Sequence, residues 1–174
     1  MQTKFIVTLT GVNEPGLVSR LSELARTHEA NWEESRFAQV AGRFAGIVQL
    51  RVPQVHAPKL QQSLESMTSE RLQLTVETFD VAGAQESHAN YFELDMAGAD
   101  RPGLVHEISM LLSHNHVDIL ELNTERTDAP HAGGTVFHAS ALLKVPASLS
   151  RQRLRDQLEE LASDMMVDVS LSEG

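Results

Sequence analysis

The chain is written twice. Phe5, Val7, Leu9 and Gly11 return 87 positions later as Phe92, Leu94, Met96 and Gly98, and the loop Asn13-Glu14-Pro15-Gly16-Leu17-Val18 returns as Asp100-Arg101-Pro102-Gly103-Leu104-Val105. Further on, Phe44, Gly46, Val48, Leu50, Val52 and Pro53 match Phe137, Ala139, Ala141, Leu143, Val145 and Pro146 at an offset of 93. The six additional residues fall in the turn Ala129-Pro130-His131-Ala132-Gly133-Gly134, where a surface loop absorbs them. Any fold for this chain must therefore be one small architecture made twice.

Within each copy the apolar period switches between two and about 3.6, which separates strands from helices. Phe5, Val7 and Leu9 alternate as a strand, whereas Leu17, Leu21, Leu24 and Ala25 form one stripe of a helix, repeated by Leu104, Ile108, Leu111 and Leu112. A strand from Asn31 to Val40 turns at Ala41-Gly42-Arg43 into a strand from Phe44 to Val52, a hairpin signal. A second helix carries Leu60, Leu64 and Met67, matched by Leu154, Leu158 and Leu161. A last strand carries Leu72, Leu74 and Val76, matched by Val167, Val169 and Leu171. Each copy reads βαββαβ. The aperiodic stretch Ala82–His88 is the expected linker, which gives domains at 1–81 and 89–174.

Strands with one apolar phase and singly striped helices pack as two layers, with both helices on one face of the sheet. Right-handed crossovers then select the ferredoxin-like split βαβ arrangement. The expected fold class is α+β: two ferredoxin-like domains, each an antiparallel four-stranded sheet with two helices on one face. The other sheet phase is polar, as at Lys4, Thr8 and Thr10 and again at Tyr91, Glu93 and Asp95, so that face is expected to meet water.

Charge and composition exclude several functions. Lys plus Arg number 14 against 24 Asp plus Glu, a formal charge of −10, and the only lysines are Lys4, Lys59 and Lys144. Gripping nucleic acid through phosphates needs a dense cationic surface, so direct nucleic-acid binding is not expected. The absence of cysteine removes disulfides, thiolate nucleophiles and cysteine metal sites. No apolar run reaches the roughly 18 residues of a membrane span, and the first residues lack a signal-peptide apolar region, so a cytoplasmic location is expected. Nucleophile-elbow, phosphate-loop and dinucleotide motifs are missing. His106-Glu107-Ile108-Ser109-Met110 has Met where a zinc-protease helix needs its second His, and neither His114 with His116 nor His131 with His138 completes a metal site. No catalytic residue, metal or cofactor is expected.

The remaining candidate is the strand-to-helix loop of each copy, Gly11 to Leu17 and Gly98 to Leu104. Gly11, Gly16, Gly98 and Gly103 let backbone approach a ligand, and the first turn of the following helix offers free N–H groups to a carboxylate such as that of an amino acid. A purely structural role is also open, with Pro15 and Pro102 making the turn and Asn13 and Asp100 capping the helix through side-chain oxygens. Asn31, Ser35 and Arg36 at the start of the second strand have polar groups to aim at such a loop, while Trp32 suits the core or a domain interface. The second copy has Asp118-Ile119-Leu120-Glu121-Leu122 there, so the two sites differ.

These residues carry a resemblance. The βαββαβ pattern with Asp100-Arg101-Pro102-Gly103-Leu104-Val105 resembles the ACT domain, a small regulatory module that binds amino acids. Two copies spanning about residues 3 to 172, with Asn31, Trp32, Ser35 and Arg36 after the first helix, resemble the glycine cleavage system transcriptional repressor family. The resemblance implies side-by-side pairing of ACT domains and amino-acid binding near the loops, at Gly11, Asn13, Pro15, Gly16, Leu17, Asn31 and Ser35 and at Gly98, Asp100, Pro102, Gly103 and Leu104. It implies a non-catalytic sensor, with glycine or serine the first candidate ligands, acting through a partner transcription factor, and a homodimer. The first copy departs from the pattern in carrying Asn13 where Asp is usual. The rival reading is a protein-interaction or dimerisation module with no small-molecule ligand.

Overall fold

A computed structural model describes residues 1–79, 89–128 and 134–173. Its internal contacts divide the chain into two units, Met1–Ala84 and Gln85–Gly174. The expected linker Ala82–His88 and residues 129–133 of the insertion lie outside the described residues.

The first unit runs β1 (Gln2–Val12), α1 (Leu17–Thr27), β2 (Asn31–Val40), β3 (Arg43–Pro53), α2 (Ala57–Glu65) and β4 (Leu72–Phe79), with strand order β2-β3-β1-β4. The second repeats it with β5 (Ala89–Ala99), α3 (Leu104–His114), β6 (Asp118–Asp128), β7 (Thr135–Pro146), α4 (Arg151–Met165) and β8 (Val167–Glu173), in the order β6-β7-β5-β8. Every strand pair is antiparallel. This is the expected ferredoxin-like α+β fold, made twice.

One phase of each sheet supplies its core. In the first unit Phe5, Val7 and Leu9 of β1 and Val48, Leu50 and Val52 of β3 bury against Leu17, Leu21 and Ala25 of α1 and Leu60 and Leu64 of α2. In the second, Phe92, Leu94 and Met96 of β5 and Leu143 and Val145 of β7 meet Leu104, Ile108 and Leu112 of α3 and Leu154 and Leu158 of α4. Each fully buried side chain of this size contributes about 1.5–3 kcal/mol. Among the described residues no polar or charged residue is buried. Stripe residues Leu24 and Leu111 are only partly buried, at the margins of their helices' apolar faces. On the opposite phase Thr8, Thr10, Glu93 and Asp95 are exposed as the alternation required, together with Ile47 at 44% and Tyr91 at 48%.

Two local details differ from the sequence expectation. β3 starts at Arg43, which pairs with Val40, so the hairpin turn is the two residues Ala41 and Gly42, both at positive φ (48° and 77°). Such a tight turn has the twist that flanking strands require. The edge strands β2 and β6 each carry a bulge, between Trp32 and Glu34 and between Ile119 and Glu121. At the bulge of β2, Glu33 faces Lys4, Gln49 and Arg51.

Candidate functional site

Each candidate loop joins the end of the first strand of its unit to the first helix. In both, the residue before the helix is a left-handed glycine, Gly16 at φ 86° and Gly103 at φ 99°, and neither helix has a side-chain cap. The capping role considered for Asn13 and Asp100 is therefore not the one they play. Glycine turns the chain into the helix without a side-chain oxygen. Asn13 is spent on the β2–β3 hairpin instead: its N–H donates to the Gly42 carbonyl (3.4 Å) and its Nδ2 to Gln39 Oε1 (3.2 Å). The Asp100 N–H donates to the Thr135 carbonyl (3.0 Å). Its carboxylate pairs with Arg126 Nε at 2.6 Å.

The earlier glycine of each loop answers to a neighbour inside its own unit. A Cβ on Gly11 would lie 2.3 Å from the Arg71 carbonyl oxygen, and one on Gly98 would lie 2.4 Å from Val167 Cγ1. The strand after the second helix passes too close for a side chain, and the Val12 N–H donates to that same Arg71 carbonyl at 2.9 Å. Gly16 has no atom within 4 Å of its added Cβ, so its surroundings are open, and Pro15 and Pro102 are exposed. Leu17 and Leu104 are buried in the cores, so a ligand at the loops would meet their backbone and not their side chains.

Strand register separates the remaining candidates from the first loop. Asn31 pairs with Arg51, which pairs with Lys4, eight residues along β1 from Val12. That is about 26 Å at 3.3 Å per residue. Ser35 reaches Val7 through Val48 and lies five residues away. Within the unit these two side chains do not aim at the loop, contrary to the expectation for the start of the second strand. Trp32 is half-buried against the core, with its ring 6.2 Å from that of Phe37. Arg36 pairs with Glu34 at 3.5 Å.

The charges around the two loops are arranged differently. Glu14 Oε2 lies 3.6 Å from Arg20 and Glu14 Oε1 lies 3.2 Å from Arg71, so two guanidiniums share one carboxylate. In the second unit Arg101 and Glu107 form a forked pair at 2.9 and 3.1 Å. Hydrogen bonds from Arg101 hold the Glu107 carboxyl below its ordinary pKa, and Glu107 raises that of Arg101 in turn. Sequence patterns missed Gln39, Gly42, Arg71 and Arg126 as loop neighbours. The strand order contains the signal, because placing β3 beside β1 brings the β2–β3 hairpin to the loop end. The second sheet also carries an open depression of about 580 Å³ on its polar face, lined by Asp95, Asn123, Glu125, His138, Ser140 and Asp168. Among the described residues no group of three or more His, Asp or Glu is placed to hold a metal ion. No helix there is long and apolar enough to cross a membrane.

The ACT domain family model matches residues 3–78, which is the first unit from β1 to the end of β4. The first unit is an ACT domain. Since the second unit repeats its elements and strand order, the chain has a tandem ACT architecture. The whole chain also superimposes on two crystal structures. One is an unknown protein from Galdieria sulphuraria, with TM-score 0.86 and 28% identity over 100% of this chain and 99% of that one. The other is a candidate glycine cleavage system transcriptional repressor, with TM-score 0.71 and 16% identity over 99% of this chain and 97% of that one. At that identity the second likeness speaks for the fold. No curated protein matches the sequence.

Proposed function

We propose that this tandem ACT protein is a non-catalytic amino-acid sensor that regulates transcription of a glycine cleavage system through a partner transcription factor. The observation that carries the reading is the ACT domain match over residues 3–78. The whole-chain likeness in fold to a candidate repressor of that system supports the regulatory part. A net charge of −10 favours action through a protein partner over contact with nucleic-acid phosphates. Glycine and serine are the first ligands to try, the protein acts as a homodimer, and its place is the cytoplasm.

The proposed receptor is a strand-to-helix loop, Gly11 to Gly16 or Gly98 to Gly103. The left-handed turns at Gly16 and Gly103 open α1 and α3. The Leu17 N–H already donates to the Glu14 carbonyl at 3.3 Å, so the proposed donors to a carboxylate are the N–H groups that follow it in the first turn and their counterparts in α3. Binding alters partner affinity only to the extent that the ligand prefers one of two states of the protein.

A thermal-shift screen against the twenty amino acids tests this. A ligand at 100 times its Kd adds about 2.7 kcal/mol, which moves the midpoint by several degrees. A shift confined to one or a few amino acids supports the sensor. No shift with any of them transfers the reading to the interaction module, for which exposed apolar side chains such as Ile47, Tyr91, Leu120 and Leu122 offer surface.

A further inference from the structure

The two units match closely in their cores and differ in the charge cluster that joins the first loop to the first helix. Glu14 corresponds to Arg101 and Arg20 to Glu107 at the offset of 87, so the same ion pair is present in both with its signs exchanged. The third member has no counterpart. Gly11 pairs with Leu72 as Gly98 pairs with Val167, which sets Arg71 against Met166, and Met166 is exposed and uncharged. The first unit thus has two guanidiniums on one carboxylate, a net charge of +1, where the second has a neutral pair.

The first unit also has an open groove of about 750 Å³ beside that cluster. Glu14 and Arg20 line it, together with Leu24 of α1 and Met67 and Ser69 of the turn between α2 and β4. Glu23 also lines the groove but is engaged by Arg26 at 2.6 Å. The Arg20 and Arg71 side chains are more than half exposed, and that of Glu14 is about one-third exposed, so all three can change partners without disturbing the core.

We propose that Glu14, Arg20 and Arg71 form a recognition site for a zwitterionic α-amino acid, present in the first unit and missing from the second. The ligand carboxylate takes the guanidiniums, and the Glu14 carboxylate, released from part of its pairing, takes the ligand ammonium. Guanidinium forks fit a carboxylate well, and charged partners make the stronger hydrogen bonds. Leu24 and Met67 offer apolar surface to the ligand side chain. The assignment rests on the amino-acid-sensing reading, and it places recognition on the helical side of the first unit, in side chains as well as in loop backbone.

The test is calorimetric titration of the full chain with whichever of the twenty amino acids gives the largest thermal shift, and with its N-acetyl and its amide derivatives. The expected result is one ligand per chain, with each derivative at least tenfold weaker because it lacks one of the two charges. Arg71→Gln and Glu14→Gln should each weaken binding at least tenfold, with Arg20→Gln as a further variant, while Arg155→Gln on α4 controls for the loss of a positive charge. Wild-type affinity in Arg71→Gln and Glu14→Gln would overturn this site and leave the sensor reading to the loops. Two equivalent ligands per chain would overturn the assignment to the first unit alone. Failure of every amino acid to bind the wild-type chain would overturn the sensor reading and this site with it.

Discussion

Replacing Gly11 by alanine separates a packing role from a ligand role at a position where both were open. The added Cβ would sit 2.3 Å from the Arg71 carbonyl oxygen and 3.1 Å from Leu72 Cα, both of them backbone atoms with no rotamer to escape through. Reaching an ordinary separation of about 3.5 Å requires the start of β4 to move away from β1 by about 1 Å. That movement strains the Val12 N–H to Arg71 carbonyl bond, 2.9 Å long, and loosens Leu72 from the core. Overpacking costs about 1–3 kcal/mol and a weakened hydrogen bond about 1 kcal/mol, so the expected loss is about 2–4 kcal/mol.

The chain has one tryptophan, Trp32, packed against the core of the first unit, so tryptophan fluorescence during urea unfolding follows that unit selectively. With a slope of about 2 kcal/mol per molar urea, the midpoint should fall by about 1–2 M. Gly42→Ala is the comparison. Gly42 also has positive φ, at 77°, but nothing lies within 4 Å of its added Cβ, so only the backbone term of about 1–2 kcal/mol applies. If Gly11→Ala unfolds at or above the midpoint of Gly42→Ala, the close approach of β4 is not what requires glycine there. A loss of ligand binding in Gly11→Ala is then interpretable only beside its stability.

Leu60→Ala removes a fully buried side chain from α2 and should cost about 2–5 kcal/mol in the tryptophan-detected transition of the first unit. Ser150→Ala removes the side-chain cap of α4, whose Oγ accepts from the Arg153 N–H at 3.3 Å, and should cost about 1 kcal/mol, read by far-UV circular dichroism in urea. Acid should destabilise both units. The Glu33 carboxyl is held below its ordinary pKa by Gln49 first and then by Arg51 and Lys4, and that of Glu107 by Arg101. A depressed folded pKa gives stability that is complete above the ordinary value near 4.5 and is lost as pH falls through the folded one. The urea midpoint should therefore be flat in these groups from pH 7 to 5.5 and fall below about pH 4.5. Glu33→Gln should reduce that fall in the tryptophan signal, and an unchanged acid limb would refute the assignment.

The fold was legible because periodicity and repetition are properties of the sequence itself. Phe5, Val7 and Leu9 alternate only if one face is buried, and a second copy 87 residues on doubles the observation. The site was less legible because it depends on register. Asn31 follows the first helix in sequence and reads as a neighbour of the first loop, yet pairing through Arg51 to Lys4 sends it to the other end of β1. Asn13 has a capping oxygen at a suitable spacing, yet the β2–β3 hairpin takes its side chain, and a left-handed Gly16 performs the turn. Arg71 gives no local pattern at all. It becomes a loop residue only because β4 lies against β1 and brings its first turn beside Glu14.

Repetition has a further consequence for deciding which residues carry function. Positions that a βαββαβ unit needs for folding should recur in both copies, whether or not either copy binds anything. Gly11 and Gly98 recur because β4 and β8 press against them, and Gly16 and Gly103 recur because the chain must enter a helix there at positive φ. Their agreement is therefore weak evidence for a ligand. Differences between the copies are more informative, because a change that leaves the core intact is free of folding's demand. The exchange of Glu14–Arg20 for Arg101–Glu107 preserves an ion pair and its modest stabilisation in either direction. Arg71 against Met166 preserves nothing, and an exposed apolar side chain does not replace a charge. The first unit holds a cationic excess that the fold does not require, and a ligand bearing a carboxylate is the kind of molecule that would use it.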